Sequence, residues 1–214
     1  FGLDISDRSL KMVSLKKKGK SFTLQSLNQI EIEPGIIEKG VICDEGALVK
    51  IIQSLYQNPR GKKPTTKYVV VSLPEEKSFL EVIKMPLMEP KELALAMRFE
   101  AENYIPLPAK DVYLDFEVIQ SASKNRDHLD VLIVATPKKI INSYISCIKK
   151  AGLIPLILEV ESQAIARALV KREEAADPMV LIDFGRASAI FIIFAGHSIY
   201  FTSSIPVSSE QITA

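Results

Sequence analysis

The sequence predicts an α/β fold made of two half-domains of common plan, with a small α+β module inserted between them and the second half incomplete. The first observation is a motif that occurs twice. Gly2-Leu3-Asp4-Ile5-Ser6-Asp7-Arg8-Ser9-Leu10-Lys11 reads as an apolar strand carrying an aspartate, a tight polar turn and a second strand. Val180-Leu181-Ile182-Asp183-Phe184-Gly185-Arg186-Ala187-Ser188-Ala189 repeats that plan. The second observation extends the likeness past the turns. Gly19-Lys20-Ser21-Phe22 opens a third strand after the first copy, and Gly196-His197-Ser198-Ile199 opens one after the second. The third is what lies between: a run of strand, helix, two strands and helix that reads as a module of its own.

Taken in order, Ser21 to Glu33 alternates through Phe22, Leu24, Leu27, Ile30 and Ile32 and predicts a long strand, turned by Pro34-Gly35. Asp44 is placed to cap a helix whose apolar face is Ala47, Leu48, Ile51, Ile52, Leu55 and Tyr56; Asn58-Pro59-Arg60-Gly61 ends it. Lys67 to Leu73 is a short buried strand closed by Pro74. The inserted module begins at Ser78 with a strand from Phe79 to Met85. Pro90 opens a helix through Tyr104, with Leu93, Met97, Ala101 and Tyr104 along one side and Pro106 and Pro108 as its stop. Strands from Val112 to Gln120 and Leu129 to Ala135 follow, joined by a polar stretch. Lys138 to Ala151 predicts a helix with Ile140, Ile141, Tyr144, Ile145 and Ile148 inward, stopped at Gly152. Leu156 to Val160 predicts a strand and Ser162 to Val170 a helix. A charged linker, Lys171 to Asp177, leads to Pro178 and the second copy. There Ala189 to Ala195, apolar on both faces, predicts a strand buried between layers. Ser208-Ser209-Glu210-Gln211 reads as the start of one more helix.

Composition removes several classes. The 214 residues are 47% hydrophobic and 25% charged, an ordinary balance for a chain that builds a core. A formal net charge of +1 gives no nucleic-acid signal. Lys16-Lys17-Lys18 is the one basic run, a solvated loop or a membrane-surface contact. The longest apolar run, 189–195, falls far short of the roughly 20 residues of a spanning helix. With no secretory signal either, a cytoplasmic location is expected. Cys43 and Cys147 lack metal-ligand spacing and read as small core residues, and His128 and His197 fall in polar turns. Zinc and triad-hydrolase chemistry are set aside on these grounds.

The two turns suggest a chemistry. A tight turn can aim several backbone N–H groups into one concavity, which suits a phosphate. An aspartate at its mouth repels a bare phosphate but can hold Mg²⁺, directly or through water. Two such hairpins could clamp the phosphates of one nucleotide; the alternative is two unrelated hairpins whose Asp and Ser residues only make turns.

Several stretches carry a family resemblance. They are Gly2-Leu3-Asp4-Ile5 with Lys11, Arg98-Phe99-Glu100-Ala101-Glu102-Asn103-Tyr104-Ile105-Pro106, Val131 to Ala135, Ala151-Gly152-Leu153, and Glu159-Val160-Glu161-Ser162. Leu181-Ile182-Asp183-Phe184-Gly185 and Ile205-Pro206-Val207 before Glu210-Gln211 complete the set. In this order the chain resembles the type IV pilus assembly proteins of the PilM type, actin-like relatives of the cell-division protein FtsA. The resemblance implies an actin-like, ribonuclease H-like ATPase fold. Residues 1–77 with 154–177 would form its first subdomain (1A), 78–153 the inserted one (1C), and 178–214 the incomplete start of the opposite half (2A).

It also implies ATP or ADP with Mg²⁺ as ligands, with weak or absent hydrolysis. Asp4 and Asp183 would face Mg²⁺ through its bound water. Ser6, Asp7, Arg8, Ser9 and Lys11, with Gly185, Arg186, Ala187 and Ser188, would contact the nucleotide. The implied partners are the cytoplasmic N-terminal peptide of a PilN-like inner-membrane protein, other platform or motor proteins of the pilus machine, and a second copy of the chain. The location implied is cytoplasmic, peripheral at the inner membrane through the partner. Two departures stand out: Ser6 replaces the usual glycine, which weakens close backbone approach to phosphate, and Ser208-Ser209 replaces Gly-Gly. Two other functions remain open. One is a nucleotide-independent scaffold of the same machine, which Ser6 favours; the other is a small-molecule kinase of the superfamily, with Glu159 or Glu161 as general base.

Overall fold

The computed structural model describes residues 1–119, 127–171, 177–195 and 197–207. The Gly196 turn, the helix start at Ser208, the last residue of the Val112–Gln120 strand and most of the two polar connections lie outside the described residues. Along the chain come β1 (Gly2–Ile5), β2 (Ser9–Lys18), β3 (Ser21–Glu31), β4 (Ile37–Glu38), β5 (Val41–Ile42), α1 (Glu45–Gln57), β6 (Arg60–Gly61) and β7 (Tyr68–Leu73). β8 (Phe79–Pro86), α2 (Pro90–Glu100), β9 (Val112–Val118), β10 (His128–Pro137) and α3 (Lys138–Lys150) follow. The last elements are β11 (Ile154–Val160), α4 (Glu161–Leu169), β12 (Met179–Phe184), β13 (Ala189–Ala195) and β14 (Ser198–Ile205).

These elements form two compact units. The first comprises Phe1–Glu76 and Ile140–Glu161. Its sheet runs β11-β7-β1-β2-β3-β6, with β1 antiparallel to β2 and parallel to β7. One face buries Leu3, Ile5, Leu10, Met12, Val69 and Val71 against Leu48, Ile52 and Leu55 of α1 and Tyr144, Cys147 and Ile148 of α3. Asp44 caps α1 by accepting the N–H of Ala47 at 2.9 Å, as its spacing predicts. Gly152, at φ +86°, ends α3: its N–H meets the Lys149 carbonyl and the Leu153 N–H meets that of Ile148, both orphan carbonyls thus satisfied.

The second unit comprises Lys77–Lys139 and the chain from Ser162. Its sheet β8-β10-β9 is buried on both sides. Ile83, Met85, Val131 and Ile133 pack with Leu93 and Met97 of α2. The alternate residues Leu80, Val82, Leu132 and Val134 pack with Ile190, Ile192 and Phe194 of the antiparallel sheet β12-β13-β14. β10, buried on both faces, is therefore nearly continuous in apolar residues.

Packing divides the chain at other borders than its patterns suggested. α3 belongs almost wholly with the first unit, where the Tyr144 hydroxyl donates to the Gly40 carbonyl at 3.2 Å. Apolar periodicity marks a buried face but not the core that receives it. Three local expectations change. The helix of the module ends at Glu100 and tightens into a 3₁₀ turn, so Tyr104 swings to the surface and Ile105 takes the buried place. Cys43 is exposed rather than core. His128 lies in β10 rather than a turn, its ring between Asp127 (2.7 Å) and Asp130 (3.4 Å).

Candidate functional site

The first hairpin joins β1 to β2. Ser6 to Ser9 make the turn, closed by the Ser6 N–H donating to the Ser9 carbonyl at 3.0 Å and by Ser6 Oγ on the same oxygen at 3.1 Å. Asp7 is committed elsewhere: its carboxylate accepts the backbone N–H groups of Lys39 (2.6 Å) and Gly40 (2.9 Å). Those two residues have φ of 49° and 71°, the left-handed pair that a two-residue hairpin turn between β4 and β5 requires. Asp7 therefore pins the first turn to a second one, and its negative charge is spent on backbone donors. Arg8 differs. Its Nη1 is buried with no hydrogen-bond partner among the described residues. A buried cationic donor left in that state costs free energy until an anion or a water meets it.

Asp4 and Lys11 are cross-strand neighbours, with Lys11 Nζ 3.1 Å from Asp4 Oδ2 and both side chains partly exposed. A pair of this kind contributes about 1 kcal/mol or less, so a ligand can open it cheaply. Sheet register then sets a polar row on the face opposite the core: Glu159, Ser72, Asp4, Lys11 and Gln29, one from each of five adjacent strands. From sequence, Glu159 enters only as a candidate base for a kinase. Its place in the row with Asp4 depends on the parallel pairing of β11 with β7, which no local pattern announces.

The second hairpin joins β12 to β13 with the same closure. Asp183 pairs with Ile190 and Phe184 with Ala189, and the Gly185 N–H donates to the Ser188 carbonyl at 2.9 Å. Asp4 corresponds to Asp183, Ser6 to Gly185 and Ser9 to Ser188, at constant offset. A Cβ on Gly185 would lie 2.8 Å from the Ser188 oxygen, so this tighter turn admits glycine and resists larger residues. Arg186 and Ala187 are exposed at its tip.

These residues fit a Mg²⁺-nucleotide. The unmet Arg8 nitrogen can be met by an anion or a water, and the Gly185 turn leaves no room for a Cβ beside the Ser188 oxygen, so its backbone is free of side-chain cover there. Mg²⁺ in such sites takes one or two carboxylates, completing its shell with phosphate oxygens and water. Among the described residues no group of three or more His, Cys, Asp or Glu side chains is placed for a metal. Asp4 on the first unit and Asp183 on the second are each carboxylates that would face such an ion through its bound water, and the ion would supply charge neutralisation at the phosphates. A cleft of about 560 Å³ in the second unit, lined by Ile119, Leu132, Ala166, Val170, Phe194 and Ile199 among others, takes no lining residue from either turn.

The side chains of α2 separate into two sets. Leu93 and Met97 are core, whereas Leu95 and Phe99, one helical turn apart, are exposed, Phe99 by 77%. Among the described residues no helix is long and apolar enough to cross a membrane.

Comparison with solved structures places this geometry. The PilM-PilN type IV pilus biogenesis complex matches with a TM-score of 0.84 and 28% identity, over 99% of this chain and 62% of that one. The chain thus spans less than two thirds of that relative's length. The cytoplasmic domain of EpsL, an inner-membrane component of the type II secretion system of Vibrio cholerae, matches at 0.58 and 13% identity, over 96% of this chain and 70% of that one. A Bacteroides thetaiotaomicron protein with actin-like ATPase fold and unknown function matches at 0.52 and 8%, over 99% and 71%. The last two likenesses concern the fold alone, and the fold is actin-like. Residues 2–213 match the family described as type IV pilus assembly protein PilM, and the chain belongs to that family.

Proposed function

We propose that this chain is the nucleotide-binding part of a cytoplasmic, actin-like component of a type IV pilus assembly platform. The observation that carries the reading is the pair of hairpins, closed by the same bond at matched positions, with an unmet Arg8 nitrogen at one and a glycine cradle at the other. Both turns contact the phosphates of one Mg-ATP or Mg-ADP. Asp4 and Asp183 face the metal through its water, and Ser6, Arg8, Ser9, Lys11, Gly185, Arg186, Ala187 and Ser188 line the phosphates. Asp7 acts by positioning the first turn. Residues 1–77 and 154–177, 78–153 and 178–214 take the roles of actin-type subdomains 1A, 1C and 2A, save that α3 packs with the first of these.

The partner in this reading is the N-terminal peptide of a PilN-like membrane protein, which keeps the assembly at the inner membrane. The relative named for a PilM-PilN complex supports it. The exposed Leu95 and Phe99 suit a short peptide that lays apolar side chains on a helix face.

Calorimetric titration of Mg-ATP into the full-length protein tests the nucleotide half of the reading, and a labelled partner peptide tests the other. Micromolar Mg-ATP binding that Asp4→Ala weakens at least tenfold is expected, with peptide binding lost in Phe99→Ser. Peptide binding without any response to millimolar Mg-ATP, in folded protein, would replace the reading with a nucleotide-independent scaffold. Ser6 Oγ, already bonded within its own turn, is the feature that favours that second reading.

A further inference from the structure

The β2–β3 hairpin outruns its sheet. β1 pairs only with residues 10–13 of β2, and β6 only with Ser26 and Leu27 of β3. Beyond those points residues 15–18 and 21–24 pair with each other alone, as a two-stranded ribbon that reaches roughly 13 Å past the sheet at about 3.3 Å per residue. A bulge at Ser14/Leu15 marks where the ribbon leaves, the kind of irregularity that bends a strand pair. A two-residue turn with Gly19 at φ +63° closes the tip. Every residue from Leu15 to Leu24 is exposed.

Isolated ribbons are normally polar on both faces, because nothing buries either one. This one is not. Leu15 stands opposite Leu24 and Lys17 opposite Phe22, so Leu15, Leu24 and Phe22 share one face, with Leu24 57% and Phe22 64% exposed. Lys16 and Lys18 lie on the other face and Lys20 in the turn. From Arg8 to Ile30 the chain carries six basic residues and no acidic one, although its overall net charge is +1. The remaining residues are therefore net acidic, and four of those six basic residues, Lys16, Lys17, Lys18 and Lys20, are gathered around this apolar tip.

We infer that the β2–β3 ribbon is a membrane-contact element that docks on an anionic bilayer surface. Phe22, Leu24 and Leu15 enter the boundary between headgroups and acyl chains. Lys16, Lys17, Lys18 and Lys20 stay at headgroup depth, where their long aliphatic stems let the charges reach the lipid phosphates. Nucleic acid also takes basic surfaces, but it recognises aromatic platforms and planar donors; two leucines beside a single phenylalanine match lipid better. The contact is direct and does not depend on the nucleotide or the peptide, so it can fail or succeed separately from the function proposed above.

Vesicle flotation of the full-length protein tests it, without partner peptide, using phosphatidylcholine vesicles with and without 30% phosphatidylglycerol. Binding to the anionic vesicles only, weakening with salt, is expected. Each lysine replaced by serine should lower the partition coefficient by about fivefold, so that Lys16→Ser, Lys17→Ser, Lys18→Ser and Lys20→Ser together abolish flotation. A Phe22→Trp variant should shift its emission to the blue on adding anionic vesicles, read as the difference from the unsubstituted protein; the 214 residues contain no tryptophan. Wild-type protein left in the aqueous fraction, or a quadruple lysine variant that floats as well as wild type, would overturn the inference. So would an emission from the Phe22→Trp variant that is already blue without vesicles and unchanged by them, which would mean that protein covers the ribbon's apolar face.

Discussion

The two hairpins share a backbone closure and an aspartate and differ in most of the side chains around them. Both close a four-residue turn with one N–H to carbonyl bond, and both carry an aspartate two residues before that turn. In the first, Asp4 has Lys11 across the strand, Asp7 fastens the turn to the β4–β5 loop, and Ser6 adds a side-chain bond inside it. In the second, Ile190 stands where Lys11 would be, Arg186 where Asp7 would be, and Gly185 where Ser6 would be. The first turn thus adds side-chain bonds from Ser6 and Asp7 to its backbone closure, whereas at the second glycine takes the place of the bonding serine. The two copies keep the closure and the aspartate, while the bonds around them diverge.

The largest expected effect breaks that difference. Asp7→Ala removes two hydrogen bonds to a carboxylate and should destabilise the protein by about 3 kcal/mol in urea unfolding. Arg186→Ala, at the matching exposed position, should change stability by about 1 kcal/mol or less. Equal losses would show that the first turn is not pinned as described. A second pair of variants exchanges the turn residues. Gly185→Ser drives a Cβ toward the Ser188 oxygen and should cost about 1–3 kcal/mol, while Ser6→Gly should cost about 1 kcal/mol through its lost hydroxyl bond. A stabilised Gly185→Ser protein would contradict the close approach.

The smallest effect is chemical and reads the core beneath the first hairpin. Burial pushes the Cys147 thiol up to about 11, from an ordinary value near 9. In native protein a thiol reagent at pH 8 should modify Cys43 and spare Cys147. The sign for stability follows from linkage. The unfolded chain releases this proton above pH 9 while the folded chain keeps it, so the contribution is whole below pH 9 and declines toward pH 11. Rapid labelling of both cysteines would show the α3 packing to be loose.

Much of this architecture was legible before any coordinates. The duplicated hairpin, the Asp44 cap and the Gly152 stop each rest on a residue whose local chemistry leaves few choices, and each stands where its signal put it. The actin-like fold was legible through resemblance rather than periodicity. What escaped was set by distant partners. The amphipathic pattern of α3 names Tyr144 and Ile148 as buried, but not that the core of the first unit receives them. Cys43 sits beside a helix cap, and nothing local distinguishes the exposed side of that cap from the core side. The dipeptide Lys39-Gly40 does not announce its turn locally, because its left-handed pair is held by a carboxylate more than thirty positions away. The row of Glu159, Ser72, Asp4, Lys11 and Gln29 exists only once β11, β7, β1, β2 and β3 are aligned.

The central claim is that the two hairpins act on one Mg-nucleotide, and a double-mutant cycle addresses it directly. Mg-ATP affinity would be measured by calorimetry for full-length protein, Asp4→Asn, Asp183→Asn and the pair together. Two carboxylates serving one metal and its water should not add: the second substitution should cost at least about 1 kcal/mol less in the presence of the first. Strictly additive losses, or a full response to one aspartate and none to the other, would mean that the duplicated turns do not share a ligand.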